Sequence, residues 1–171
     1  NGATGARIWE RTYDGPVQGD DRAVAIKVDP IAGSNPLDGN IVVVGTQLTS
    51  ADDQDIHLIR YNKAGDLVWE RTLQRPHIDD AAVAMTMDAA GYIYIAADSG
   101  SDLDKDILGV IYDYEGTLLG ATVYGGANGG MDESTAIAVN HKGEAFIAGY
   151  STNASGNADY AVIKQKNNYI L

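Results

Sequence analysis

The sequence predicts an all-β fold built from a repeated unit, and three observations lead to this prediction. Short apolar runs alternate with Gly, Asn, Asp and Ser, which separate strands more often than helices. Stretches with the periodicity of an amphipathic helix are almost absent. The turn glycines Gly39, Gly91 and Gly143 recur at a constant interval of 52 residues. An internal repeat of this length indicates a modular architecture.

The length, composition and net charge of the chain exclude several classes of protein. Its 171 residues predict one repeat domain, 1–171, because 44% apolar and 21% charged residues are ordinary for a globular protein. A net charge of −12 argues against nucleic acid as a partner, since binding to phosphates needs a basic surface. No apolar run is long enough to predict membrane insertion. The absence of cysteine excludes disulfides and zinc–thiolate sites.

The first predicted element is a strand at 7–13, RIWERTY, which shares Trp-Glu-Arg-Thr with LVWERTL at 67–73. After it, each repeat unit contains four short strand-like runs joined by tight turns such as NKAGD, DAAG and DYEG. In the second unit these runs lie at 82–87, 92–97, 107–112 and 118–124. The runs are nearly continuously apolar, which suits sheets covered on both faces by their neighbours.

Four antiparallel strands in about 50 residues correspond to one blade of a β-propeller. The predicted fold is therefore all-β, with about three four-stranded antiparallel blades, at 20–73, 79–124 and 131–171. The strand at 7–13 is predicted to be the outer strand of another blade. The third blade lacks most of its own outer strand, because NNYIL at 167–171 stops where that strand should run.

The repeat also resembles a known family. The units follow Asp-x-Ala-x-x-(Ile/Val/Met)-x-(Val/Met)-(Asp/Asn), a turn, then Gly-x-(Ile/Ala)-(Tyr/Phe/Val)-(Ile/Val)-(Ala/Val)-(Gly/Ala), except that the third unit has Ser134 in place of the Ala. This pattern resembles the bacterial seven-bladed β-propeller (SBBP) repeat. The segment YNKAGDLVW, 61–69, is also similar to the Trp-containing turn of quinoprotein-like propeller repeats. The SBBP resemblance implies a secreted or cell-surface protein that is usually not a catalyst.

Three blades are too few to close a ring, which normally needs four to eight. We therefore expect the terminal strands to bind another copy, through Ile8, Trp9, Thr12, Tyr160, Val162, Tyr169, Ile170 and Leu171. Two copies would close a six-bladed ring by strand addition, whereas the same contact without closure would propagate as a head-to-tail filament. The third alternative is that the chain is a fragment of a larger propeller.

Acidic residues are predicted to concentrate on one face, which carries the loops from each outer strand to the next inner strand and from each second strand to the third. These are the predicted long loops, at 14–22, 46–55, 74–80, 97–106, 125–133 and 150–159. An acidic face suits a basic partner or a divalent cation. The best cation candidate is DLDKD, which places Asp102, Asp104 and Asp106 at alternate positions for calcium. The alternative is that such recurring acids accept hydrogen bonds from loop backbone amides.

Catalytic motifs are absent from the sequence. It contains no Gly-x-Ser-x-Gly elbow, phosphate loop or His-Glu-x-x-His motif, and its three histidines occupy non-equivalent positions in the repeat. We therefore predict a scaffold or binding module with no cofactor other than calcium. The rival prediction is a propeller enzyme acting on polysaccharide, which needs carboxylates from several blades to converge near the channel.

Overall fold

A computed structural model describes residues 5–30, 39–50, 53–75, 78–126 and 129–166. This part of the chain forms eleven strands, and the prediction of an all-β fold is confirmed. It contains no helix long and apolar enough to cross a bilayer. The strands are β1 Arg22–Val28, β2 Ile41–Ser50, β3 Asp53–Tyr61, β4 Leu67–Leu73, β5 Asp80–Met87, β6 Ile93–Ser101, β7 Asp104–Tyr112, β8 Leu118–Tyr124, β9 Asp132–Val139, β10 Glu144–Thr152 and β11 Ala158–Lys166.

The strands form three antiparallel sheets, each a simple meander. Sheet 1 has the order β1-β2-β3-β4, sheet 2 the order β5-β6-β7-β8, and sheet 3 consists of β9, β10 and β11. Every ladder joins two strands that follow each other along the described chain. The prediction of small antiparallel sheets is therefore confirmed.

Five hairpin turns use the same local device. In each, the side-chain Oδ1 of an Asp or Asn accepts hydrogen bonds from the backbone N–H groups two and four residues later. These residues are Asn62, Asp88, Asp113, Asn140 and Asn153. Each turn also contains a glycine with positive φ, a conformation that other residues adopt at a cost. The turn residues visible in the sequence thus fix where the hairpins reverse.

The second and third strands of each sheet extend further than their apolar runs. β6 reaches Ser101 and β7 begins at Asp104, and β2 and β10 also continue beyond the apolar residues. The prediction of long loops at 46–55, 97–106 and 150–159 is therefore wrong. An antiparallel ladder requires paired backbone groups but no apolar side chains, so Ser, Gly and Asp extend it into solvent.

The core lies between the sheets, and sheet 2 is covered on both sides. On one side, sheet 1 packs against sheet 2 through a cluster that includes Val42, Val44, Ile56, Leu58, Ile93, Ile95, Leu108 and Val110. On the other side, sheet 2 packs against sheet 3 through Tyr94, Ala96, Ile107, Ile111, Ala145, Ile147 and Ala161. Adjacent residues of β6 point to opposite neighbours, and this explains its nearly continuous apolar sequence.

Candidate functional site

The stack of three sheets has two outer surfaces that no other described sheet covers. The surface of sheet 1 that faces away from sheet 2 is called here the upstream face, and it carries Ile41, Val43, Gly45, His57, Ile59 and Tyr61. The surface of sheet 3 that faces away from sheet 2 is called the downstream face, and it carries Phe146, Tyr160, Val162 and Lys164.

The N-terminal segment 7–13 lies against the upstream face. Its Trp9 Nε1 donates to the carbonyl oxygen of Lys63 at 3.3 Å, and its Arg11 Nε donates to the carbonyl oxygen of Gly65 at 2.7 Å. The Trp9 ring lies 6.2 Å from the Tyr61 ring. The segment therefore holds the β3–β4 turn of sheet 1, although it forms no ladder with any strand in the described ranges.

Equivalent contacts join β4 of sheet 1 to the turn between β7 and β8 of sheet 2. Trp69 Nε1 on β4 donates to the carbonyl oxygen of Tyr114 at 3.4 Å, and Arg71 Nε donates to that of Gly116 at 2.9 Å. A Cβ at Gly116 would lie 3.1 Å from the Trp69 ring, just as one at Gly65 would lie 2.8 Å from the equivalent Trp. Segment 7–13 therefore contacts a turn of sheet 1 in the same way that β4, a strand of sheet 1, contacts a turn of sheet 2.

A cavity of about 310 Å³ lies between this segment and the upstream face. Tyr13 closes one side of it, because its hydroxyl donates to Gln47 Oε1 at 2.5 Å. Gln47 Nε2 in turn donates to Thr72 Oγ1 at 3.0 Å. The Tyr13 ring stacks on the His57 ring with the centroids 4.3 Å apart. The lining also includes Gly45, so part of the cavity wall is bare backbone.

His57 is the buried titratable group of this cavity. It is 6% exposed, and its Nδ1 lies 3.0 Å from Thr72 Oγ1, whereas its Nε2 is buried without a hydrogen-bond partner. Burial lowers the pKa of His57, and the carboxylate of Glu70, 3.7 Å from Nε2, offsets this only in part. Burial also raises the pKa of Tyr13, with Glu70 adding to the effect. Both rings are therefore neutral near pH 7.

Sequence reasoning did not single out His57, Tyr13 or Gln47 as parts of a site. A signal was present, because the repeat places Leu108 and Ala161 where sheet 1 has His57. A polar residue at a position that is apolar in the other units marks a surface with different neighbours.

The downstream face is the more exposed of the two surfaces. Tyr160 is 101% exposed and Val162 is 73% exposed. Lys164 Nζ lies 2.6 Å from Glu144 Oε1 and 5.7 Å from the centre of the Phe146 ring. Within the described ranges β11 pairs with β10 alone, so its other edge carries backbone groups with no ladder partner there.

The residues predicted for assembly fall into two groups. Trp9 and Thr12 lie at the upstream face, where Thr12 lines the cavity, and Ile8 beside them is 81% exposed. Tyr160 and Val162 lie at the downstream face, and the structure therefore keeps the two groups on opposite ends of the stack. The other three predicted residues, Tyr169, Ile170 and Leu171, lie outside the described residues.

The acids predicted to bind calcium occupy the β6–β7 hairpin. Asp102 is in the turn with a fully exposed side chain, and Asp104 and Asp106 are in β7. Burial raises the pKa of Asp106. In the part of the chain that the structure describes, no three carboxylate, imidazole or thiol groups are placed to hold a metal ion. The calcium prediction gains no support from this geometry.

Other recurring acids bind backbone amides at the same end of the sheets. Asp132 accepts hydrogen bonds from the N–H groups of Gly126 and Thr152, the latter at 3.2 Å. Asp55 accepts one from the N–H of Arg75 at 3.4 Å. Much of the acidic face therefore stabilises the loops on which it lies.

Comparisons with known proteins add no further identification. No protein-family model matches the chain, and no curated protein matches it significantly.

Proposed function

We propose that this protein is a non-catalytic β-propeller scaffold whose copies associate end to end. In this proposal each sheet is a blade, and the downstream face of one copy binds the upstream face of another. Two copies then close a ring of six blades. The resemblance to SBBP repeats supports an extracellular or cell-surface location.

The observation that carries this proposal is the duplicated contact of the outer strand. Trp9 and Arg11 hold the turn of sheet 1 in the way that Trp69 and Arg71 hold the turn of sheet 2. In the second case the strand that carries the Trp also pairs with β3 of the preceding sheet. Segment 7–13 therefore has the position of an outer strand, and it needs the third strand of a preceding sheet to pair with.

β11 is the strand that fits this requirement. It is the third strand of its sheet, as β3 and β7 are of theirs, and those two pair with β4 and β8. The β3–β4 register, transferred to the new pair, places Tyr160 opposite Tyr13, Val162 opposite Arg11 and Lys164 opposite Trp9. The last pair repeats Arg60 and Trp69, whose guanidinium carbon lies 6.0 Å from the ring centre.

Physical chemistry favours this association on two grounds. An exposed strand edge next to exposed apolar side chains is prone to bind another strand. Strand addition pairs the backbone groups of both partners, and the packing of one face on the other removes Val162 and the upstream apolar residues from water. The contact is head-to-tail, so it either closes into a ring or propagates.

The first test is the molar mass by light scattering after size exclusion, at several protein concentrations. We expect a species of twice the 18.1 kDa chain mass. Val162→Asp places a charge in the new interface and should yield the monomer. Val123→Asp is the matched control, because Val123 is 44% exposed on β8, away from both faces, and it should leave the mass unchanged.

Two other results would change the proposal. Large species that grow with concentration, and that Val162→Asp abolishes, would replace the ring by a head-to-tail filament with the same contact. A wild-type monomer at every concentration would overturn end-to-end association.

A further inference from the structure

The junctions between sheets share one repeated contact between side chains. At the first junction Ile56 of β3 packs in the same cluster as Leu108 of β7. At the second junction Ile107 of β7 packs in the same cluster as Ala161 of β11. The Ile107 Cδ1 also lies 3.1 Å from the position that a Cβ would take at Gly149. In each case an isoleucine from the third strand of one sheet enters the face of the next.

The two open faces carry the two halves of a third such contact. Tyr160 occupies in β11 the position of Ile56 and Ile107, since each directly follows the recurring aspartate of its unit. Gly45 and His57 are ladder partners on the upstream face, as Gly149 and Ala161 are in sheet 3. The repeat therefore directs Tyr160 of a preceding copy at Gly45 and His57.

The side chains of this third contact differ in size and polarity from those of the other two. The projecting residue is a tyrosine instead of an isoleucine, and the receiving face has an open cavity of about 310 Å³. The cavity combines apolar walls with polar groups from Gln47, Arg22 and Asp21. This lining suits an aromatic ring that ends in a hydroxyl group, because a buried hydroxyl requires a hydrogen-bond partner.

We propose that the Tyr160 ring of one copy inserts into the cavity beside Gly45 and His57 of the next copy, and that this insertion makes the ends of the chain specific for each other. The inference rests on the proposed function, which it deepens by naming the contact that selects the partner. A second copy is the occupant because the repeat geometry brings its Tyr160, 101% exposed in the single chain, to this cavity.

A double-mutant cycle tests the insertion. Tyr160→Ile and His57→Leu together place at the new junction the residue types of Ile56 and Leu108, which pack in one cluster between sheets 1 and 2. Each single substitution should raise the dissociation constant of the assembly at least about tenfold, because isoleucine underfills the cavity and leucine crowds the tyrosine. The dissociation constant of the double variant should be at least about fivefold lower than the value that additive effects of the two single substitutions would give. Dissociation constants come from sedimentation equilibrium over a dilution series.

The design separates contact between copies from other effects. Within one chain residues 57 and 160 are on sheets 1 and 3, with sheet 2 between them, so non-additivity reports contact between copies. Tyr160→Ile changes a fully exposed residue and cannot remove a core contact of the monomer. Tyr124→Ile is the matched control, 38% exposed on β8, and it should leave the dissociation constant unchanged.

Failure of the inference and failure of the proposed function give different results. The insertion is overturned if the assembly forms but Tyr160→Ile does not change its dissociation constant, or if the effects of the two substitutions are additive. Either result is compatible with end-to-end association. A wild-type chain that stays monomeric overturns both.

Discussion

Replacement of Leu108 by alanine would measure how strongly sheets 1 and 2 hold each other. Leu108 is 0% exposed and packs in the cluster that joins these two sheets. Truncation of a buried leucine removes its transfer free energy and leaves a cavity, which together cost about 2–5 kcal/mol. For a chain of this size about 1 kcal/mol corresponds to a Tm change of roughly 2–4 °C. We therefore expect Leu108→Ala to lower Tm by roughly 4–20 °C.

The assay is thermal unfolding for Tm and urea unfolding for the free energy, both followed by circular dichroism and tryptophan fluorescence at a protein concentration held constant. Leu118→Ala is the matched control, because the same atoms are removed from a residue that is 45% exposed on β8. Leu118→Ala should lower the free energy of unfolding by less than about 1 kcal/mol, as is usual for surface substitutions. The dependence of the free energy on urea should not change in either variant.

One result would refute the packing argument. If Leu108→Ala costs no more than Leu118→Ala, the interface between sheets 1 and 2 does not contribute to the stability of the chain in the way described. A change in the urea dependence of Leu108→Ala alone would instead mean that the two sheets unfold in separate steps.

Two further substitutions address a turn and a half-buried acid. Gly116→Ala should lower the free energy of unfolding by about 1–3 kcal/mol, because φ at Gly116 is +79° and the Trp69 ring lies against this glycine. The control Gly120→Ala should be near neutral, because there is free space around Gly120. Equal effects of the two substitutions in urea unfolding would contradict this reasoning. Burial raises the pKa of Asp98, so the folded chain binds the carboxyl proton of Asp98 more tightly than the unfolded chain does. The contribution of Asp98 to the free energy of unfolding therefore falls as pH rises above about 4. Asp98→Asn should flatten this pH dependence of the urea midpoint, and an unchanged slope would show that Asp98 does not cause it.

The sequence predicted those features that depend on local patterns or on an exact repeat. The shared Trp-Glu-Arg-Thr in 7–13 and 67–73 identified two equivalent segments, and the structure gives Trp9 and Trp69 equivalent contacts. Turn positions followed from Asp or Asn with a later glycine, because that chemistry acts within five residues.

Features that depend on distant segments were not predicted. The extension of β6 and β7 to Ser101 and Asp104 arises from backbone pairing, which apolar patterns do not record. The cavity requires Tyr13 to stack on His57, and His57 has no equivalent of its own kind in the other units. A difference between repeat units was therefore the one available sign of the cavity.

The meander topology has a consequence for the cooperativity of unfolding. Every ladder joins strands that are consecutive along the described chain, and the buried apolar clusters join sheet 1 to sheet 2 and sheet 2 to sheet 3. Such an array behaves as a one-dimensional chain of units coupled to their nearest neighbours. Sheet 2, with two neighbours, opens only when the whole array opens, whereas sheets 1 and 3 have lower local free energies of opening. Amide hydrogen exchange in the isolated chain should therefore be slowest in β6 and β7, and association of the ends should slow exchange most in β11.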